Sequence, residues 1–456
     1  EIAENQPELL ARHYTSAYLI EKSTRLWGKA GLRSQERSAL IEAAGQLNQA
    51  LAQIATLPST PDLRHEEIVL QVALLNTLMH VKGYGAPETK AAVVKVRTLI
   101  EQAERLGESP DDASLLLSAL FGQWIVSFIS FDGDIARELA ARFLALGDKD
   151  GTVPLIVGHR TMGSTLALMG DLVQARAHYD EALALYRPAE HRRLMTRFGQ
   201  DLRVTCLGFR SMDLWLLGYP EEALRDADCA LMEARQIGHA ATLMFTLNFP
   251  IIVNTYCGNY ERANELLDEL VALAEEKGAA FRKAEGVLRR GYILTLAGES
   301  AKAVEMVSSG IALWRATGST IFTPEQEFML AIAHANSGQF DQARHCIGNA
   351  MMAMQATKER WCEAEAHRVA GEIALKSPER DVAQAQTCFQ HSLTVARAQQ
   401  AKSWELRAAM SMARILSAQG EPQAAGDLLA PIYDWFTEGF DTTDLRRAKA
   451  LLRELH

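Results

Sequence analysis

The residues best suited to grip a ligand crowd into "YRPAEHRRLMTRFGQDLRVTC", Tyr186 to Cys206. Arg187, Arg192, Arg193, Arg197 and Arg203 fall there beside His191, Gln200 and Asp201, in a chain whose formal net charge is −10. A guanidinium fork holds phosphate or carboxylate with two parallel hydrogen bonds, and a concave wall would strip water from it. The plainer reading is a solvated basic helix end that pairs with nearby acids. A second stretch, "IYDWFTEGFDTTDL" (Ile432 to Leu445), interleaves Tyr433, Trp435, Phe436 and Phe440 with Asp434, Glu438, Asp441 and Asp444. Aromatic platforms beside paired acids can bind sugars or hold metals.

Motifs for covalent or phosphoryl chemistry are missing. Gly28-Lys29 lacks the upstream glycine and the following Ser/Thr of a P-loop, and no GxGxxG, HExxH, GxSxG or EF-hand loop occurs. The histidines are scattered, and His345-Cys346 is too closely spaced to chelate zinc alone. No cofactor or metal is expected, and the chain is read as not an enzyme. The acidic balance argues against nucleic acid as a partner. Six cysteines without a CxxC pair read as reduced, buried thiols of a cytoplasmic protein. "EIAENQPELLARHY" is no signal peptide, and the absence of an initiator Met suggests a fragment. The uncharged run Ala113–Phe131, flanked by Asp111, Asp112, Asp132 and Asp134, reads as a helix buried between neighbours, not a membrane span.

What must position these residues is a repeat. In "MGSTLALMGDLVQARAHYDEALALY", Gly163 lies in a first helix, Gly170-Asp171 makes a turn, and Ala175, Tyr179 and Ala182 share one face of a second helix. Small residues let two helices approach closely, and the aromatic fills the space beside them. The grammar recurs with anchors at Ala223, Ala263, Ala303, Ala343, Ala385 and Ala425. Their period is near 40, longer than the usual 34 of tetratricopeptide repeats, so the helices should run to roughly 14–18 residues. The interval from Ala175 to Ala223 is some eight residues longer than that period, about two helical turns, and it holds the arginine cluster. Upstream, around Trp27, Ala43 and Ala136, the pattern continues at lower fidelity across "KGYGAPE".

The fold is therefore expected to be an all-α right-handed superhelical solenoid of about ten tetratricopeptide-like hairpins. Residues 1–456 form one array: lower-fidelity repeats over 1–110, regular repeats over 111–436 and a capping helix over 437–456. First-helix residues near the small position line the inner surface of such an array. That nominates Arg160 with His159, and Trp215, Asn254 and Tyr292 in later units. Pro250 should kink its helix and free carbonyls near Asn248. The register turns "IYDWFTEGFDTTDL" into a closing cap, with Phe436 inward, Gly439 ending a helix, Asp441 as the next N-cap and Asp444 favoured by the helix dipole.

The stretches "PELLARHYTSAYLIEKSTRLWGKAG", "KGYGAPE", "FGQD", "WLLGYPEEAL", "ERWCEAEAHRVAGEIAL" and "LLAPIYDWFTEGFDTTDLRRAKALL" carry a family likeness over Pro7 to Leu452. The chain resembles the C-terminal tetratricopeptide array of large bacterial signalling proteins that also carry a class III nucleotide cyclase and an AAA/STAND-type ATPase. The resemblance implies a sensor or scaffold part without the catalytic regions, and carries over no binding residues. Similar solenoids receive an inducer in ATP-dependent transcription activators. Two functions follow as expectations. One is a regulatory module binding a protein or peptide segment, or its own ATPase and cyclase domains, in the concave groove. The other is a sensor of a small anionic or sugar-like inducer, held by Arg160 and the arginine-rich segment.

Overall fold

The structure, a computed structural model, describes residues 6–108 and 113–455. Asp111 and Asp112, expected to flank the apolar run, lie outside the described residues, as do the first five residues of the N-terminal segment. Helix follows helix throughout, with no strand among the described residues. Ten antiparallel hairpins, from Ile20–Glu36/Leu40–Ile54 to Lys402–Ala418/Pro422–Tyr433, stack as a right-handed solenoid, preceded by Pro7–Ser16 and closed by Thr443–Leu455. Most hairpin helices have 14 to 18 residues.

Several hairpins are locked by a glycine fitted against a larger side chain, aromatic in two of them. A Cβ placed on Gly163 would lie 2.7 Å from the Tyr179 ring, and one on Gly371 would lie 2.4 Å from Phe389. Both aromatics are fully buried. Helix ends are sharp because glycine enters the left-handed region there, as at Gly218 with φ +96°.

Successive superhelical turns also touch. The amides of Thr320 and Ile321 donate to the Ile129 carbonyl at 3.1 and 2.9 Å, and those of Arg360 and Trp361 donate to the Leu168 carbonyl. Ser403 Oγ donates to the Trp215 carbonyl, 188 residues away. One superhelical turn therefore takes roughly five 40-residue hairpins. At Gly85 and Gly318 the two turns meet backbone to backbone; a Cβ on Gly85 would stand 2.2 Å from the Gly318 oxygen. The interior that a looser array would leave as a groove is closed over most of its length by aromatic and aliphatic side chains.

Two helices that pass for membrane spans belong to this interior. Leu117, Leu120, Phe121, Trp124 and Phe128 of Ala113–Ser130 are buried. Ala240–Cys257 is long and apolar enough to cross a membrane, yet 89% of it is buried inside the protein. It runs unbroken through Pro250. All six cysteines are free; Cys229 and Cys388 are half-buried, unlike the other four.

The C-terminal stretch closes the array, with more specific contacts than caps and surface charges imply. Phe436 is buried as expected. Glu438 Oε1 accepts hydrogen bonds from the amides of Glu221 and Glu222 at 2.9 and 3.0 Å, and Gly439 N–H donates to the Glu221 carboxylate at 2.8 Å. Glu438 thus caps the N-terminus of Pro220–Ile237, whose first amides have no partner within their own helix. Asp441 is not the N-cap of the last helix: the helix begins at Thr443, one residue later than that role requires. Asp444, expected to serve the helix dipole, accepts from Arg407 Nε at 2.6 Å.

His80 illustrates how tightly the first turn is held. It lies edge-on to Tyr84 at 5.8 Å and its Nε2 donates to the Gly199 carbonyl. Burial, then the neighbouring His239 and Arg282, pushes the imidazole down to about 3. An unfolded histidine titrates near 6.5, so between pH 6.5 and about 3 the unfolded chain binds a proton that the folded one refuses. This contribution to stability is complete above pH 6.5 and is lost as the pH falls through that window. His80→Gln keeps an N–H donor without titrating. Relative to that variant, the wild type is expected to lose about 1 kcal/mol per pH unit in this range. Urea unfolding of both proteins at successive pH values measures it, and parallel profiles would refute it.

Candidate functional site

The arginine-rich interval is an insertion between the fourth and fifth hairpins, folded as Pro188–His191, a 3₁₀ turn and Met195–Phe198. It crosses to the second hairpin: Asn76 Nδ2 donates to the Arg197 carbonyl at 2.7 Å, and Gln200 Nε2 donates to the Tyr84 hydroxyl at 2.5 Å. Phe198 is buried edge-on against Phe121. Asp201 caps Leu202–Leu217, accepting from the amides of Arg203 and Val204 and from the Tyr186 hydroxyl. The arginines do not converge. Arg187 donates to the carbonyls of Ala184 and Tyr186, Arg203 pairs with Glu233 at 3.1 Å, and Arg192 and Arg193 are exposed.

Of the residues nominated for the inner surface, Arg160, Trp215, Asn254 and Tyr292 are buried. Trp215 stacks on Tyr256 at 4.4 Å and meets the edge of Trp404. Tyr292 is buried edge-on to Tyr256. Asn254 Nδ2 donates to the Pro250 carbonyl at 2.8 Å within its own helix. His159 instead sits within its hairpin, its Nδ1 2.9 Å from His178 Nδ1; burial lowers the pKa of both rings. Arg160, Gln200 and Asn248, far apart in sequence, come together around one internal cavity of about 50 Å³.

A larger opening of about 270 Å³ lies on the inner face of the last units. Its floor is an ion network. Arg368 grips buried Glu365 with two hydrogen bonds of 2.8 and 2.9 Å, and Arg407 bridges Glu365 and Asp444. Burial would raise the Glu365 carboxyl, but Arg368 and Arg407 outweigh it and hold it below the usual carboxylate range. Arg407 also lies over the Trp404 ring at 4.9 Å, so the basin floor and the inter-turn core share one side chain. Around the rim stand Lys376, Arg414 and Arg447, all exposed. Arg414 and Arg447 make no ion pair among the described residues.

Five cations against three carboxylates make this basin locally basic in an acidic chain. Of the residues singled out from sequence, only Asp444 of the C-terminal stretch lines it. The signal for the others was present in the spacing: Glu365, Arg368 and Glu372, and likewise Arg407 and Arg414, recur at i, i+3 and i+7, which puts charge on the inner face of first helices.

No protein-family model matches the chain. An uncharacterized protein of Rhizobium meliloti (strain 1021) is 23% identical over 407 residues, which are 88% of this chain and 38% of that protein. The chain thus spans well under half of that relative's length. Among solved structures, a Rap protein complexed with Competence and Sporulation Factor is similar over 83% of this chain and 98% of its own, with 13% identity and a TM-score of 0.56. The anaphase-promoting-complex hetero-tetramer Cut9–Hcn1 is similar over 98% of this chain and 74% of that one, with 13% identity and a TM-score of 0.55. At these identities the likeness establishes the tetratricopeptide-type helical fold.

Proposed function

We propose that the chain is a non-catalytic regulatory module that takes a protein or peptide segment into its C-terminal basin. The observation that carries this reading is the unpaired rim cations Arg414 and Arg447 over the Glu365–Arg368–Arg407–Asp444 floor. Free guanidinium forks beside an ordered floor suit an extended acidic segment, whose carboxylates they can grip while the floor stays rigid. The Rap protein's complex with Competence and Sporulation Factor supports a ligand-receiving role for this kind of array. In the finer form of the reading, the segment belongs to an ATPase or cyclase region of the same polypeptide, whose output the array sets. The Rhizobium relative has ample length for such a region.

Fluorescence anisotropy with labelled glutamate-rich and lysine-rich peptides tests the reading. The acidic peptide is expected to bind, to weaken with salt, and to lose at least about tenfold in affinity in Arg414→Glu/Arg447→Glu, through like-charge repulsion at the rim. Equal binding of both peptides, or no loss in the double variant, would count against the basin.

A further inference from the structure

We infer that the internal cavity around Arg160 is a binding site for a short-chain monocarboxylate of acetate-to-propionate size, which pins one superhelical turn to the next. Arg160 is 3% exposed, and its Nε and Nη1 have no hydrogen-bond partner. Its guanidinium lies over the rings of Trp124 and Phe121 at 4.9 and 5.5 Å. Those faces give partial compensation to a buried cation, but they leave its in-plane N–H groups unmet. No carboxylate ion-pairs with it among the described residues. Arg282 and Glu285, the other charged residues of the cavity wall, neutralise each other at 2.6 Å. The cavity wall therefore carries one positive charge without an ion pair, on a side chain with two N–H groups unmet.

The remaining wall fixes the rest of the ligand. It is mostly apolar, formed by Phe209, Phe245, Phe281 and Trp314 among others. At roughly 10–15 Å³ per water, about 50 Å³ admits about three to five heavy atoms. That size excludes nucleotides, sugars and peptides, and the aromatic wall disfavours phosphate, which needs donors on every side. A carboxylate with a small hydrocarbon tail meets both requirements.

Residues of the wall come from Ile125 and Ile129 in the third hairpin and from Trp314 and Ile321 almost two hundred residues later, where the Ile321 amide already bonds the Ile129 carbonyl. A ligand here would strengthen contact between turns. This inference stands independently of the C-terminal basin and its peptide.

Thermal unfolding of the protein in sodium acetate or propionate, against sodium chloride at equal ionic strength, tests it. Propionate is expected to raise Tm saturably by about 2–4 °C when far above its Kd, with propionamide ineffective. Arg160→Met should fold, because it exchanges an unpaired buried charge for an apolar chain, and should lose the response. Ile125→Phe fills the cavity with the arginine still in place, and should lose it too. Carbon-13 propionate line broadening gives the same comparison without unfolding. A wild type that responds alike to propionate and chloride, or variants that keep the propionate response, would overturn the site.

Discussion

Trp404→Ala is expected to cost about 3–5 kcal/mol and to loosen the contact between superhelical turns. The indole is fully buried, edge-on to both Trp215 and Tyr256, and its Nε1 donates to the Trp361 carbonyl at 3.3 Å. Truncation leaves a large cavity and an orphaned acceptor, and it removes one of the rings beneath Arg407, which must then hold its charge over less aromatic surface. Because Arg407 also forms the basin floor, peptide affinity should fall together with stability. Trp435→Ala is the comparison: that ring is partly exposed, packs on Tyr219 at 5.6 Å, and should cost far less. Chemical denaturation with parallel anisotropy measures both effects. Equal costs for the two tryptophans would contradict the inter-turn core.

Gly85→Ala is the second large effect, and it acts through backbone. The new Cβ would meet the Gly318 oxygen at 2.2 Å, its carbonyl carbon at 2.4 Å and the Ser319 nitrogen at 2.8 Å. No rotamer change relieves a clash with main chain, so the turns must part or one segment must shift. A loss of about 3 kcal/mol, at the upper end for overpacking, is expected, with a larger radius of gyration by small-angle scattering. Gly45→Ala supplies the control. It lies within Leu40–Ile54 with nothing inside 4 Å of the added carbon, and a helical glycine replaced by alanine should gain about 0.5–1 kcal/mol. Unchanged dimensions and Tm in Gly85→Ala would remove the close approach as a determinant of the fold.

The hairpins were legible because their signal is local. Gly163 and Tyr179 lie sixteen positions apart, so the residue that admits a helix and the ring that fills it fall within one repeat. Closure between turns was not legible. It depends on small rotations summed over roughly five repeats, and no pattern within one repeat reports that sum. Gly83 and Gly85 were visible as a break in "KGYGAPE", but their partners at Thr317 and Gly318 belong to another turn. Arg160 was reached by register alone, which placed it on the inner surface without revealing that the surface was enclosed. The arginine-rich interval stood out by composition, whereas its main structural contacts come from a carbonyl at Arg197, an amide at Gln200 and a ring at Phe198. Arg407 and Arg414 were passed over because single charges on regular helices look like solvated faces.

The bond between Glu438 and the amides of Glu221 and Glu222 spans 216 and 217 residues of chain. In an open solenoid, where each repeat knows only its neighbours, ends fray and folding can begin anywhere. Here Glu438 completes the helix Pro220–Ile237, so that helix cannot reach full stability until Glu438 is in place. Folding then carries the entropy of closing very long loops, which slows it, and binds distant repeats into one cooperative transition. A nascent chain still lacking Trp435 and Phe436 would expose more of Tyr219 and of the turn at Gly218, against which those two rings pack.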